Sequence, residues 1–204
     1  MHRNAKAMGT LGKLAIGLVL GAALAGCVDA QVEVALTGPE TARVTMTQHM
    51  DADFYAMVKM GAEDSEDEEA GFCADGALTE NADGSADCVL SEEGPFAGLQ
   101  AADGEDALVF AAAGPGLVRV SLPTAQMRAE AGIEDEMDAE TRQMMEAFFA
   151  GHAITVRFSG AAVTETNMAL APDGRSAERA IPFLDLINGT ADLPEELFAV
   201  VRAP

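Results

Sequence analysis

QVEVALTGPETARVTMTQ, residues 31–48, is the stretch whose reading decides the fold. In 31–37 apolar Val32, Val34 and Leu36 alternate with polar neighbours, and in 42–48 Val44 and Met46 continue the same pattern. A period of two puts one side of each segment in a core and the other in water, the pattern of half-buried strands. Gly38-Pro39-Glu40 between them is turn chemistry, so the two segments read as a β-hairpin.

Working toward the C-terminus, HMDADFYAMVKMG (49–61) places Phe54, Met57, Val58 and Met50 at helical spacing, with Asp51 or Asp53 as cap and Gly61 as stop. EDSEDEE (63–69) follows, and like charges at that density repel, so it reads as a solvated loop. Segments 107–112 and 117–122 read as strands joined by Gly114-Pro115-Gly116. From Thr124 to Ala150 helical signals dominate, divided in two near Gly132. The second of these helices carries Met144, Met145, Phe148 and Phe149, the candidate apolar binding face. AITVRFS (153–159) is a strand, 162–171 and 175–181 are two more around Pro172-Asp173-Gly174, 183–188 is a short helix, and 197–201 is a final strand or helical turn. Strands dominate, parallel crossovers are not obvious, and the expected class is α+β: an antiparallel β-sheet with a few helices packed on one face.

Toward the N-terminus the chain changes character. Arg3, Lys6 and Lys13 precede the apolar run LAIGLVLGAALA (14–25), a basic start and short apolar core of the secretory kind. The run is about 12 residues long where a spanning helix needs about 20. It ends in Leu24-Ala25-Gly26-Cys27, which resembles the lipobox of bacterial lipoproteins. That resemblance implies a signal peptide over 1–26, a diacylglycerol on the Cys27 thiol, cleavage before Cys27, and a single lipid-anchored extracytoplasmic domain over 27–204. Two or three acyl chains hold a protein stably where one holds it marginally. In a cell with two membranes, Val28, in place of an aspartate after the cysteine, implies by the same resemblance the inner leaflet of the outer membrane, facing the periplasm.

The whole chain has a formal charge of −22. With three cations removed in the leader, 9 Lys and Arg face 34 Asp and Glu, a charge of −25. Phosphate binding needs cations, so nucleic acid is excluded as a partner. An anionic bilayer surface is equally repelled, which leaves the acyl chains on Cys27 as the membrane contact. After Cys27 only Cys73 and Cys88 remain. An even count in an oxidising compartment predicts a disulfide between them. It closes a loop of about 16 residues and contributes about 3 kcal/mol in the chain-entropy model. The enclosed ADGALTENADGSAD (74–87) is turn-rich, so the bridge is expected to pin a hairpin or loop.

Chemistry-bearing motifs are few. His49, Asp51 and Asp53 can ligate a metal from one loop, but an aspartate cluster at a helix start accounts for them. His152 reads as a solvated loop residue. Aligning Gly84 with the sixth place of a calcium loop puts Thr79 and Leu90 at the ends, both wrong ligands. No G-x-S-x-G, H-E-x-x-H or Walker-type loop is present. No cofactor, metal or catalytic residue is assigned, and the expected protein is not an enzyme; a carboxylate-using periplasmic hydrolase and a purely structural envelope protein are the alternatives.

ITVRFSG (154–160), the segment Val163 to Thr166-Asn167, the Asp173-Gly174 turn and the opening hairpin Val32 to Met46 together resemble the LppM-like bacterial lipoproteins, a family of uncharacterised domains. These motifs are short and cover about a third of the chain. The chain departs from the family in lacking the tryptophan often found after the Asp-Gly turn, and in having no hydrophobic tail after the domain. The resemblance implies a non-catalytic envelope lipoprotein that binds a lipid or another envelope component.

Overall fold

The computed structural model describes residues 28–63, 72–73, 76–99, 101, 107–125, 127 and 139–204. Residues 1–27 with Cys27, all of the acidic stretch 63–69 but Glu63, and most of the first of the two helices expected after Thr124 lie outside the described residues.

The opening hairpin is β1 (Val28–Leu36) against β2 (Thr41–Met50), paired antiparallel with Val34 opposite Val44 and Val32 opposite Met46. The alternating residues Val34, Leu36 and Val44 are buried, as the period of two requires. The turn closes through Thr37 and Gly38 backbone N–H groups donating to the Thr41 carbonyl.

Helix α1 (Ala52–Glu63) follows, then β3 (Ala77–Glu80), β4 (Ala86–Pro95) and a 3-10 turn (Phe96–Gly98). Next come β5 (Val109–Gly114), β6 (Leu117–Pro123), helix α2 (Ala139–Phe149), β7 (Ala153–Ser159), β8 (Ala162–Thr166) and β9 (Ala169–Leu170). The chain ends with β10 (Ser176–Pro182), helix α3 (Phe183–Ile187) and β11 (Glu196–Arg202).

The fold is α+β, with its strands divided between two sheets. A seven-stranded sheet runs β3-β4-β2-β1-β7-β10-β9, and a four-stranded sheet runs β5-β6-β11-β8. The first is mixed: β1 and β7 are parallel, with Ala30 opposite Ile154 and Val34 opposite Phe158. Strand alternation reports burial and is blind to direction, and parallel partners must be far apart in sequence, so this pair left no local trace.

One core joins the sheets. Val34, Val44, Val156 and Phe158 from the first meet Val118, Val120, Leu197 and Val201 from the second, and Phe149 of α2 and Phe183 of α3 complete the cluster. Side chains of this size contribute about 1.5–3 kcal/mol each when buried. The helices gather at the end where β1 begins. α1 leaves β2 just past Met50, the partner of Val28; α2 ends just before β7; and α3 starts after Pro182, the partner of Ala153.

α1 keeps Met50, Phe54 and Val58 of its expected face against a core and differs at Met57 and at its end. Tyr55 is its buried residue, whereas Met57 and Met60 are 49% and 64% exposed, and the helix runs through Gly61 to Glu63. The reason is a small second core of Met50, Tyr55 and Ala86 flanked by Phe54, Val58 and Phe72. The Tyr55 ring meets Phe72 edge-on at 6.0 Å, and its hydroxyl donates to Glu80 at 2.8 Å.

Candidate functional site

β1 starts at Val28, the residue directly after Cys27, and is a central strand of the large sheet. Cys73 and Cys88 are disulfide-bonded, with Cα atoms 5.5 Å apart. Cys88 sits on β4 between Gln48 of β2 and Leu78 of β3, so the bridge fastens the preceding loop to the β3–β4 hairpin. Gly76 has no room for a side chain, because an added Cβ would lie 2.7 Å from both sulfurs.

The expected apolar face of α2 separates into different environments. Phe149 is 1% exposed and packs on Phe183 with ring centres 5.4 Å apart, so it belongs to the core. Phe148, about 100° further round the helix, is 39% exposed. The side chains of Met144 and Met145 lie outside the described residues.

Two arrangements emerge that the sequence did not reveal. The first is a chain of histidines and carboxylates at the end where β1 begins. Asp29, His49 and Asp87 are directly opposite one another on β1, β2 and β4. The His49 Nδ1 lies 2.8 Å from Asp87 Oδ1, and Asp87 Oδ2 accepts from Asn81 at 2.8 Å. On its other side His49 Nε2 is 3.5 Å from Asp51 Oδ1, and the second Asp51 oxygen is 3.7 Å from His152 Nε2. Asp29 closes the series. Its Oδ2 is 3.4 Å from His152 Nδ1, an ion-pair distance without hydrogen-bond alignment, and its Oδ1 accepts from the Ala153 backbone N–H at 2.9 Å. His152 is therefore not a solvated loop residue: its side chain is 13% exposed and hemmed in by carboxylates.

The electrostatics follow from those contacts. The Asp87 hydrogen bond, aided by the charges of Asp51 and Asp29, raises the His49 pKa against the cost of desolvation. Asn81 and His49 in turn hold the Asp87 carboxyl below its ordinary range. His49 is thereby held toward its protonated form and Asp87 toward its ionised form. The cluster does not form a nucleophilic triad: with one histidine nitrogen on Asp87, a hydroxyl should face the other, and Asp51 is there instead. Ser85, the nearby hydroxyl, donates to Asp83 at 2.7 Å. Among the described residues no group of three or more His, Cys, Asp or Glu is arranged to hold a metal ion. Asp53 stands apart, exposed in the first turn of α1.

The second arrangement is a cleft of about 280 Å³ at the opposite end of the domain. Pro39 and Glu40 of the β1–β2 turn and Phe96 wall one side, and Phe110, Leu117 and Val118 of the small sheet wall the other. Phe96 and Phe110 both line it and stack directly on each other, 4.3 Å between centres and 4° from parallel. Phe96 falls in a short 3-10 turn and Phe110 at a strand edge, so neither takes part in a periodic pattern that would have marked it.

No family model and no curated protein matches the chain. Among solved structures it is similar to the NMR structure of the folded domain of the Mycobacterium tuberculosis LppM protein, at 11% identity over 87% of this chain and 91% of that one, with a TM-score of 0.43.

Proposed function

We propose that this chain is a bacterial envelope lipoprotein, held to the membrane by acyl chains on Cys27, whose domain is a non-catalytic module that binds a lipid or another envelope protein. The observation that carries the reading is the position of β1. Cys27, the cysteine of the lipobox-like segment, precedes its first residue, and the open cleft beside Pro39 lies past its last. At about 3.3 Å per residue, the strand sets the cleft roughly 25 Å from Val28. A tether at one end and an open recess lined by Phe96, Phe110 and Leu117 at the other suit a module that presents a binding surface away from the bilayer. The charge of the domain supports the same arrangement, since it repels anionic lipid and leaves attachment to the acyl chains. In a cell with two membranes, Val28 after the cysteine favours the outer one.

Native mass spectrometry of the protein extracted from its own envelope tests the binding role. The reading predicts a reproducible lipid or protein adduct on the acylated chain. Repeated recovery of the acylated protein without any adduct contradicts it.

A further inference from the structure

Each sheet has two outer strands, and three of these four edges are guarded. β3 is four residues long and ends in Glu80, which is paired with Lys59. β9 is two residues long, and β8 carries Glu165. Short length and charge are the devices that keep an edge from pairing with a foreign strand. β5 has neither: it reads VFAAAG, six residues without a charge or a proline. Its inner side pairs with β6 from Val109 opposite Ser121 to Ala112 opposite Val118, and a bulge follows before Gly114. The bulge bends the end of the strand away, so the flat free edge is Val109 to Ala112. Val109 is 49% exposed, and Ala111 and Ala112 are exposed as well. Among the described residues no strand pairs with that edge.

The cleft lies beside this edge and shares Phe110, Ala111 and Ala112 with it. Ligand pockets run from about 300 to 1,000 Å³, so a recess of about 280 Å³ lies just below that range and suits one or two inserted side chains. The stacked Phe96 and Phe110 offer that side chain an aromatic floor, and Glu40 stands at the rim. A second copy of this chain would bring another −25 charge to the contact.

We infer that the free edge of β5 is a strand-addition site for an extended, cationic segment of a partner polypeptide, which pairs with Val109 to Ala112 and lays an apolar side chain over Phe96 and Phe110. Main-chain hydrogen bonds supply the affinity and the recess supplies selection, the division of labour of strand addition. Lysine or arginine in the segment is attracted by the acidic domain. This deepens the reading of the domain as a binding module and rests on it.

The test uses the full acylated protein in neutral detergent micelles, titrated with a fluorescent peptide of alternating valine and lysine. A second peptide has the same side chains but N-methyl groups at alternate residues, which removes one row of donors. The expected result is binding of the first peptide, loss of about tenfold or more in affinity for the second, and slowed hydrogen exchange at Val109 to Ala112. Val109→Lys should weaken binding by about tenfold. Leu170→Lys, an exposed change of equal charge on β9, should leave binding unaltered. Equal affinity for both peptides, equal effects of the two lysine variants, or no binding at all overturns the inference. So does a dimer in sedimentation that Val109→Lys dissociates, which would give the edge to a second copy. An adduct in the native mass spectrum that survives Val109→Lys would overturn this site while leaving the binding-module reading intact.

Discussion

Replacing Gly160 with alanine tests the junction on which the two-sheet arrangement depends. After β7 the chain leaves the large sheet and enters the small one as β8, and Gly160 with Ala161 makes the crossing. The Gly160 N–H donates to the Arg175 carbonyl at 3.1 Å, and the Ala161 N–H donates to the Arg202 carbonyl at 2.9 Å. A Cβ on Gly160 would lie 2.5 Å from Val201 Cγ1 and 2.8 Å from the Arg202 carbonyl oxygen. The valine methyl can rotate away, but the carbonyl is backbone held by Ala161. Overpacking of this kind costs about 1–3 kcal/mol, and a rigid obstacle places the cost toward the top of that range. Alanine also stiffens the unfolded chain, which returns about 0.4–1 kcal/mol. The net loss is about 2 kcal/mol, a fall of about 4–8 °C in Tm for a domain of this size. Gly94→Ala is the control, because an added Cβ there meets nothing within 4 Å. Thermal unfolding followed by circular dichroism compares the variants. Equal melting temperatures for Gly160→Ala and Gly94→Ala would refute the crossing as described.

Other perturbations give separate expectations. Phe149→Ala should cost about 3–5 kcal/mol by opening a cavity against Phe183, whereas Phe148→Ala should cost less than about 1 kcal/mol; urea titration distinguishes them. His49 has its pKa raised above the ordinary 6.5 by Asp87. Its contribution is therefore complete below that ordinary value and disappears as pH rises through the raised one. Urea midpoints measured from mildly acidic to alkaline pH should fall across that window in the native protein and stay flat in His49→Asn. Reducing the Cys73–Cys88 bridge should lower stability by about 3 kcal/mol, read as a shifted urea midpoint. Gly76→Ala should leave free thiols detectable by alkylation, since its methyl would occupy the space of both sulfurs.

What the sequence disclosed was local. The opening hairpin, β7 and the short helix after Pro182 follow from patterns that complete themselves within ten residues or so, and Gly160, the glycine ending the ITVRFSG segment, has a steric reason to be there. The unseen parts are those that depend on register and on distant partners. Parallel pairing of β1 with β7 joins residues more than a hundred positions apart. Asp29, His49 and Asp87 are unremarkable until three strands are aligned and bring them into one row. Helix α1 turned Tyr55 inward and left Met57 outside, because a tyrosine whose hydroxyl reaches Glu80 can bury its ring at little polar cost. The free edge of β5 likewise exists only once the strand order is known.

The central claim is that Cys27 becomes the acylated first residue of the mature protein. Mass spectrometry of the N-terminal peptide, from protein purified out of its native envelope, measures this directly. The account predicts a peptide that begins at Cys27 and carries a diacylglycerol on the thiol, and a Cys27→Ser variant that lacks it. A mature chain that still contains residues 1–26, or one that begins at another residue with an unmodified Cys27, would contradict it.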